Sequence, residues 1–221
     1  MEIDKLNMKF YMVKEGKGVL CGRISKRIID IVISGLGLIV LSPFLFLIAF
    51  LIGVDTPRGP IIFKQNRVGL NGRVFILYKF RSMIPEAEEL KSSLQNLNEM
   101  SGPVFKIRKD PRITRLGRLI RKTSIDELPQ LINVIKGDMS LVGPRPLPVE
   151  EMSKIKQDIY LKRSSVKPGI TCIWQISGRN NIDFYEWMEM DMKYIDNWSL
   201  GLDLEILFLT FPAVLMGKGA N

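Results

Sequence analysis

The sequence predicts a small α+β domain attached to a membrane near its N-terminus. Three observations carry that expectation. Residues 31–54 form a 24-residue stretch without a charge, residues 61–80 hold two β-rich runs around Asn71-Gly72, and later segments repeat apolar residues at helical spacing. A chain of 221 residues suffices for one compact domain plus a membrane attachment, with no second full domain expected.

Composition narrows the chemistry. Lys and Arg number 32 against 23 Asp and Glu, a net charge of +9 that favours nucleic acid, anionic lipid or phosphorylated partners. Histidine is absent, so a catalytic base must be a carboxylate, lysine, cysteine or tyrosine, and a metal would be oxygen-bound magnesium or manganese. The cysteines, Cys21 and Cys172, stand too far apart in sequence to suggest a disulfide framework or a zinc site.

The apolar stretch is long enough to cross a bilayer, but Ser42-Pro43 lies in its middle. Proline cannot donate to the carbonyl of Ile39, which frees that group in apolar surroundings unless Ser42 meets it. A sharp bend leaves two halves of roughly 18 Å each, too short to cross separately. Residues 1–27 carry seven Lys or Arg, and residues 55–81 carry six, so both flanks have the charge of a cytoplasmic side. A re-entrant helix fits this better than a simple span, although proline kinks also occur in spanning helices. The expected organisation is an N-terminal extension over 1–21, a membrane helix over 22–56 and a domain over 57–221. At the membrane entry, Asp30 pairs with Arg23, Lys26 or Arg27, or Arg27 meets a lipid phosphate.

Residues 61–80 are expected to form a hairpin, and 84–98 a polar, helix-compatible cap beginning at Pro85. Residues 106–122 are dense in lysine and arginine. They form either a solvated helix face or a surface for pyrophosphate or anionic headgroups, and no motif for nucleic acid accompanies them. A short helix is expected to end at Gly137, with Asp126 and Glu127 in its first turn. Ser124-x-x-Glu127 matches a capping box, so the pair reads either as capping or as an anion pair that attacks and holds a cation. Gly143-Pro144-Arg145-Pro146 makes a rigid turn presenting Arg145. Residues 165–181 read as a turn, a strand around Ile170 to Ile176 and a Gly178-Arg179-Asn180 loop. Phe184, Trp187, Tyr194 and Trp198 form either a core stripe or an interfacial one, and 200–216 an interfacial or packed helix.

The run from Asp110 to Pro146 closely resembles the monotopic polyprenyl-phosphate phosphoglycosyl transferases, also called bacterial sugar transferases. So do the Ser-Pro pair at 42–43, YKFRSM at 78–83, KPGIT at 167–171, SGRN at 177–180 and YIDNWSLGLDLEIL at 194–207. The resemblance covers Gly22 to the C-terminus and matches the minimal form of the family. It implies a re-entrant helix broken at Ser42-Pro43, with a catalytic domain and interfacial helices at the cytoplasmic face of the bacterial inner membrane. It implies that Asp126 attacks the phosphate bonded to the sugar of a UDP-sugar, releasing UMP, and that undecaprenyl phosphate then takes the phosphosugar. Glu127 falls where the family binds magnesium. Phosphate-binding candidates are Arg27, Arg81, Arg112, Arg145 and Arg179, with Arg145 and Arg179 foremost because rigid turns preorganise a phosphate fork. Further implied partners are anionic lipids and downstream glycosyltransferases of a capsule or exopolysaccharide pathway; a homodimer is plausible and nucleic acid is not expected. Ser82, Cys172 and Ile173 depart from the usual threonine, glycine and tryptophan, which unsettles any transfer of sugar specificity.

Overall fold

A computed structural model describes residues 17–178 and 182–215. Helix α1 spans Lys17–Asp55, the hairpin β1 (Ile62–Val68) and β2 (Val74–Phe80) follows, and α2 covers Arg115–Lys122. Then come α3 (Gln130–Lys136), β3 (Ser140–Val142), α4 (Val149–Met152), α5 (Asp158–Leu161) and β4 (Gly169–Thr171). Helices α6 (Ile173–Ser177), α7 (Phe184–Asp196) and α8 (Leu200–Leu215) complete a mixed α+β domain.

Helix α1 is continuous, so the break expected at Ser42-Pro43 is not seen. The reason is local. Ser42 Oγ donates to Ile39 O at 2.8 Å, serving the carbonyl that Pro43 leaves without its backbone donor. One side of α1 packs on the domain, with Leu38 against one core cluster and Ile48 and Ile52 beside Phe80 and Ile120 in another. The rest of its apolar surface is bare: Phe46 is 76% exposed and Phe50 67%. The segment Cys21–Asp55, with a mean hydropathy of 2.7 in its most apolar window, is long and apolar enough to enter a membrane.

Polar contacts fix the first turns of α1 to the domain. Asp30 is buried and accepts hydrogen bonds from Ser140 Oγ and Leu141 N, instead of pairing with Arg23, Lys26 or Arg27 as expected. A backbone N–H at the start of β3 would otherwise lack a partner, and a fixed acceptor satisfies it better than a mobile headgroup contact. Arg27 donates to the carbonyls of Val134 and Ile135, closing the C-terminal end of α3. Lys26 Nζ lies 2.6 Å from Asp203 Oδ2, which also takes the indole N–H of Trp198, while Tyr194 donates to Oδ1.

The hairpin forms where the alternating runs place it, its strands antiparallel from Ile62 opposite Phe80 to Val68 opposite Val74. Asn71 and Gly72 turn with φ 51° and 74°. Buried Asn133 of α3 then imitates a strand: its Oδ1 accepts from Tyr78 N and its Nδ2 donates to Ile76 O. Residues 84–98 form three 3-10 turns, not an α-helix, because Ala87 must turn inward while Lys91 reaches Glu150. β3 and β4 pair in parallel, bringing GPRP beside KPGIT. There a Cβ on Gly169 would lie 2.1 Å from Gly143 N, so the approach needs glycine. The strand expected through Ile176 stops at Thr171, and Ile173–Ser177 is helical, its last turn closed by a Gly178 N–H bond to Trp174 O. Phe184, Trp187 and Tyr194 of α7 are buried, which selects the core reading of the aromatic stripe.

The Lys26–Asp203 pair gives a direct test of this anchoring. Asp203→Ala strands a mostly buried ammonium and is expected to cost about 3 kcal/mol, read as a lower melting temperature in detergent. Adding Lys26→Met removes the stranded charge and is expected to recover most of that loss. No recovery would mean that Asp203 acts through Tyr194 and Trp198 alone.

Candidate active site

Three chain segments converge on one carboxylate. The dyad occupies a 3-10 turn, Ile125–Glu127, placed between α2 and α3 and not within the first turn of α3. Ser124 adopts φ 56° with no side-chain cap, so the capping box suggested by Ser124-x-x-Glu127 does not form. Strand β2 supplies Lys79, whose Nζ lies 2.7 Å from Glu127 Oε1 and 4.0 Å from Asp126 Oδ2. The GPRP turn supplies Arg145, with Nη2 2.6 Å from the same Oε1. Behind it, Arg163 donates to Arg145 O and Asp191, and Arg67 donates to Pro146 O.

These groups border a cavity of about 410 Å3, whose walls include Arg67, Lys79, Arg81, Arg112, Arg121, Asp126, Glu127, Arg145, Glu151 and Trp174. Of the sequence candidates, Asp126, Glu127, Arg81, Arg112 and Arg145 meet here; Arg27 lies elsewhere, under α3, and Arg179 falls outside the described residues. The arginines differ in freedom. Arg112 is bound to Asp110 at 2.6 Å and to Ala87 O, with its guanidinium over Phe105. Arg81 meets Thr56 through Nη2 only, leaving buried Nε and Nη1 without hydrogen-bond partners among the described residues. Such donors are costly to bury unpaired, and Nη1 faces Gly59, where an added Cβ would lie 2.0 Å from it.

Lys79 was not singled out by sequence reasoning, yet a signal existed. It shares strand parity with buried Phe75 and Leu77, and a lysine on an inward face needs an anionic partner. Arg67, Trp174 and Gln175 were also missed as site residues. Trp174 lies 5.8 Å under the Arg145 guanidinium, and Cys172 donates to Gln175 Oε1, so the family departures near Cys172 do adjoin the cavity.

The two carboxyls are driven apart. Burial pushes Asp126 up to about 6, with Lys79 opposing and Glu127 adding to the rise. Burial would raise Glu127 too, but Arg145 and then Lys79 outweigh it and hold that carboxyl well below the usual range. Burial lowers Lys79, while Glu127 favours its charged form. Glu127 is thus a fixed anion, and Asp126 a desolvated carboxylate that ionises near neutrality.

Magnesium fits this donor set in part. Both partners of Glu127 use Oε1, which leaves Oε2 and the Asp126 carboxylate as hard oxygen donors. Among the described residues no group of three or more His, Cys, Asp or Glu converges, so substrate phosphates and water would have to complete the shell.

Residues 21–217 match the family described as bacterial sugar transferase, and the chain belongs to it. It is 49% identical to the galactosyl transferase CpsE of Streptococcus agalactiae serotype III, over 97% of this chain and 46% of that protein. It is 44% identical to the undecaprenyl-phosphate galactose phosphotransferase of Salmonella typhimurium, over 90% of this chain and 42% of the relative. With the exopolysaccharide production protein ExoY of Rhizobium meliloti it shares 37% identity, over 90% of this chain and 89% of the other. The chain thus spans under half the length of the first two. Family and apolar helix together make it a monotopic inner-membrane protein with its catalytic domain on the cytoplasmic side.

The electrostatics predict a stability cost at Asp126. A rise from 3.8 to about 6 corresponds to about 3 kcal/mol opposing folding once the group is ionised. This cost is full above pH 6 and absent below about pH 4, where both states are protonated. Asp126→Asn is therefore expected to melt above the wild type at pH 7.5, with the gap closing toward pH 4. A variant that melts lower at pH 7.5 would contradict the assignment.

Proposed function

We propose that the protein transfers a sugar 1-phosphate from a UDP-sugar to undecaprenyl phosphate, releasing UMP, as the first membrane step of an exopolysaccharide or capsule pathway. The observation that carries this reading is the Asp126-Glu127 pair held by Lys79 and Arg145 on the wall of a strongly cationic cavity. A diphosphate needs such a wall, because an anionic nucleophile cannot otherwise approach it.

The chemistry follows from the division between the carboxyls. Asp126 attacks the phosphorus bonded to the sugar; the bond to the UMP oxygen breaks, and UMP leaves with the electron pair. The acceptor phosphate then attacks the same phosphorus, the bond to Asp126 breaks, and the carboxylate is regenerated. Ionised Asp126 is the reacting form, and burial removes the water that would blunt it. Arg145 and Lys79 hold Glu127 in place, and Arg81 adds a positive charge to the cavity wall. A magnesium ion bound through Glu127 would supply charge neutralisation for the diphosphate.

The re-entrant reading of α1 belongs to the same proposal. Lys26, Arg27 and Asp30 hold the domain before the apolar stretch, and Ile48, Ile52 and Thr56 hold it at the far side. A straight perpendicular crossing would carry the second set away from a domain on one side of the bilayer. Entering one leaflet and leaving on the same side keeps both attached, and it needs only a bend at Pro43 within a continuous helix, with Ser42 still serving the Ile39 carbonyl. Tags at both ends are expected to be cytoplasmic.

Purified protein with magnesium, undecaprenyl phosphate and a panel of UDP-sugars tests the reaction. UDP-galactose and UDP-glucose come first, because relatives carry galactose and glucose in their names. UMP release with at least one sugar is expected, together with a mass increase of one phosphosugar on Asp126 when the acceptor is withheld. Asp126→Asn is expected to lower turnover more than a thousandfold, and wild-type kcat/KM to fall about tenfold per pH unit below 6. A folded Asp126→Asn protein with normal turnover would remove it as nucleophile.

A further inference from the structure

A second pocket lies on the opposite side of the dyad turn. It measures about 190 Å3, and Ile125, Leu128, Leu131, Ile170, Ile176 and Val214 form much of its wall. Ser124, Glu127 and Gln175 line both this pocket and the cationic cavity, so the dyad turn is the partition between an apolar compartment and a charged one.

We propose that this pocket binds the phosphate-proximal isoprenoid units of the acceptor lipid, an assignment that rests on the phosphoglycosyl-transfer reading. Polar ligands have little to hold there. Glu127 is the one charged side chain among the described lining residues, and it repels phosphate. The hydroxyls of Thr171 and Thr210 bond each other at 2.7 Å, and Thr210 also reaches Ile206 O. Beyond Thr123, Ser124 and Gln175 the wall is hydrocarbon. The same two helices that wall the pocket, α3 and α8, expose Ile132, Ile135, Phe208 and Phe211 on other faces. Bare apolar side chains on both suit lipid and not water, so the pocket belongs to the membrane-facing side of the domain.

The location also selects the acceptor over a bulk phospholipid tail. The wall shared through Ser124, Glu127 and Gln175 puts the pocket within reach of a tail whose phosphate lies in the cationic cavity, and the acceptor is the lipid whose phosphate the proposed reaction brings there. The nucleotide sugar then occupies the cationic cavity and the acceptor tail the apolar one. The acceptor phosphate reaches the phosphorus on Asp126 around the partition.

The test uses the full chain in nanodiscs with a short isoprenoid phosphate bearing a diazirine near its phosphate end. Labelling is expected within residues 123–131, 170–176 or 210–214, displaced by undecaprenyl phosphate and unaffected by added dioleoyl phospholipid. Labelling confined to other segments would overturn the assignment, as would labelling diluted equally by bulk phospholipid, the behaviour of an ordinary acyl-chain crevice. Ala213→Trp fills the pocket from α8 and is expected to raise KM for undecaprenyl phosphate at least tenfold relative to KM for the UDP-sugar. An unchanged ratio in a folded variant would overturn it too. The two readings fail separately: UMP release with label elsewhere removes the pocket alone, whereas competed labelling without UMP release from any UDP-sugar removes the transfer reaction.

Discussion

The Glu127 carboxylate, gripped by Lys79 and Arg145, is the contact on which the site depends. It ties together β2, the dyad turn and the GPRP loop, three segments with no shared secondary structure. Removing one partner from such a buried cluster leaves an uncompensated charge, typically at 3–5 kcal/mol, so none of the three can drift independently. Each cation is held from behind as well. Asn133 stitches α3 to the backbone of β2 at Tyr78, one residue before Lys79, while Arg163 and Arg67 take the carbonyls of Arg145 and Pro146. Both cations lie closer to Glu127 than to Asp126, so burial prevails at Asp126 and raises its pKa while the cations hold Glu127 low. Reactivity at one position follows from satisfaction at the next.

The same logic places polar groups at the membrane boundary. Asp30, Lys26 and Asp203 sit on helices whose remaining surfaces are apolar, which is expensive unless every charge finds a partner. Their partners are backbone groups of β3 and buried hydroxyl and indole donors, so the anchoring is directional where packing against lipid is not. The proposed lipid acceptor would need a cavity at a fixed height above the bilayer, and directional anchors supply it.

Sequence reading reached the elements with strong local codes. The Asn71-Gly72 hairpin and the stop at Gly137 needed only turn chemistry, whereas the break read at Ser42-Pro43 is not seen, because the Ser42 hydroxyl serves the carbonyl that Pro43 frees. It overreached where local and tertiary demands part. The polar segment 84–98 had helical composition but breaks into 3-10 turns, and the run after Thr171 curls into α6 although its residues favour strands. Asp30 had three basic neighbours in sequence, yet its partners lie about 110 residues away. In the site, the dyad and Arg145 were legible through motif resemblance, whereas Lys79 was hidden because one strand does not reveal what faces it. A charge on an inward parity position was the available clue.

Ser124 shows how the site's geometry is maintained against local preference. Helix α2 ends at Lys122 with Thr123 bonded back to Leu119 and Ile120, a closure that by itself would leave the following chain free to continue helically. Instead Ser124 takes the left-handed region at φ 56°, which costs a non-glycine residue on the order of 1 kcal/mol or more. That turn swings Asp126 and Glu127 out of the α2 axis and onto the wall shared by the two compartments. The left-handed residue just past the Thr123 C-cap ends α2, and the Glu127 ion pairs beyond it hold the turn in place. Weakening Lys79 or Arg145 is expected to loosen that hold on the dyad. The position of Asp126, the proposed nucleophile, therefore depends on the ionic cluster as well as on the short turn that carries it.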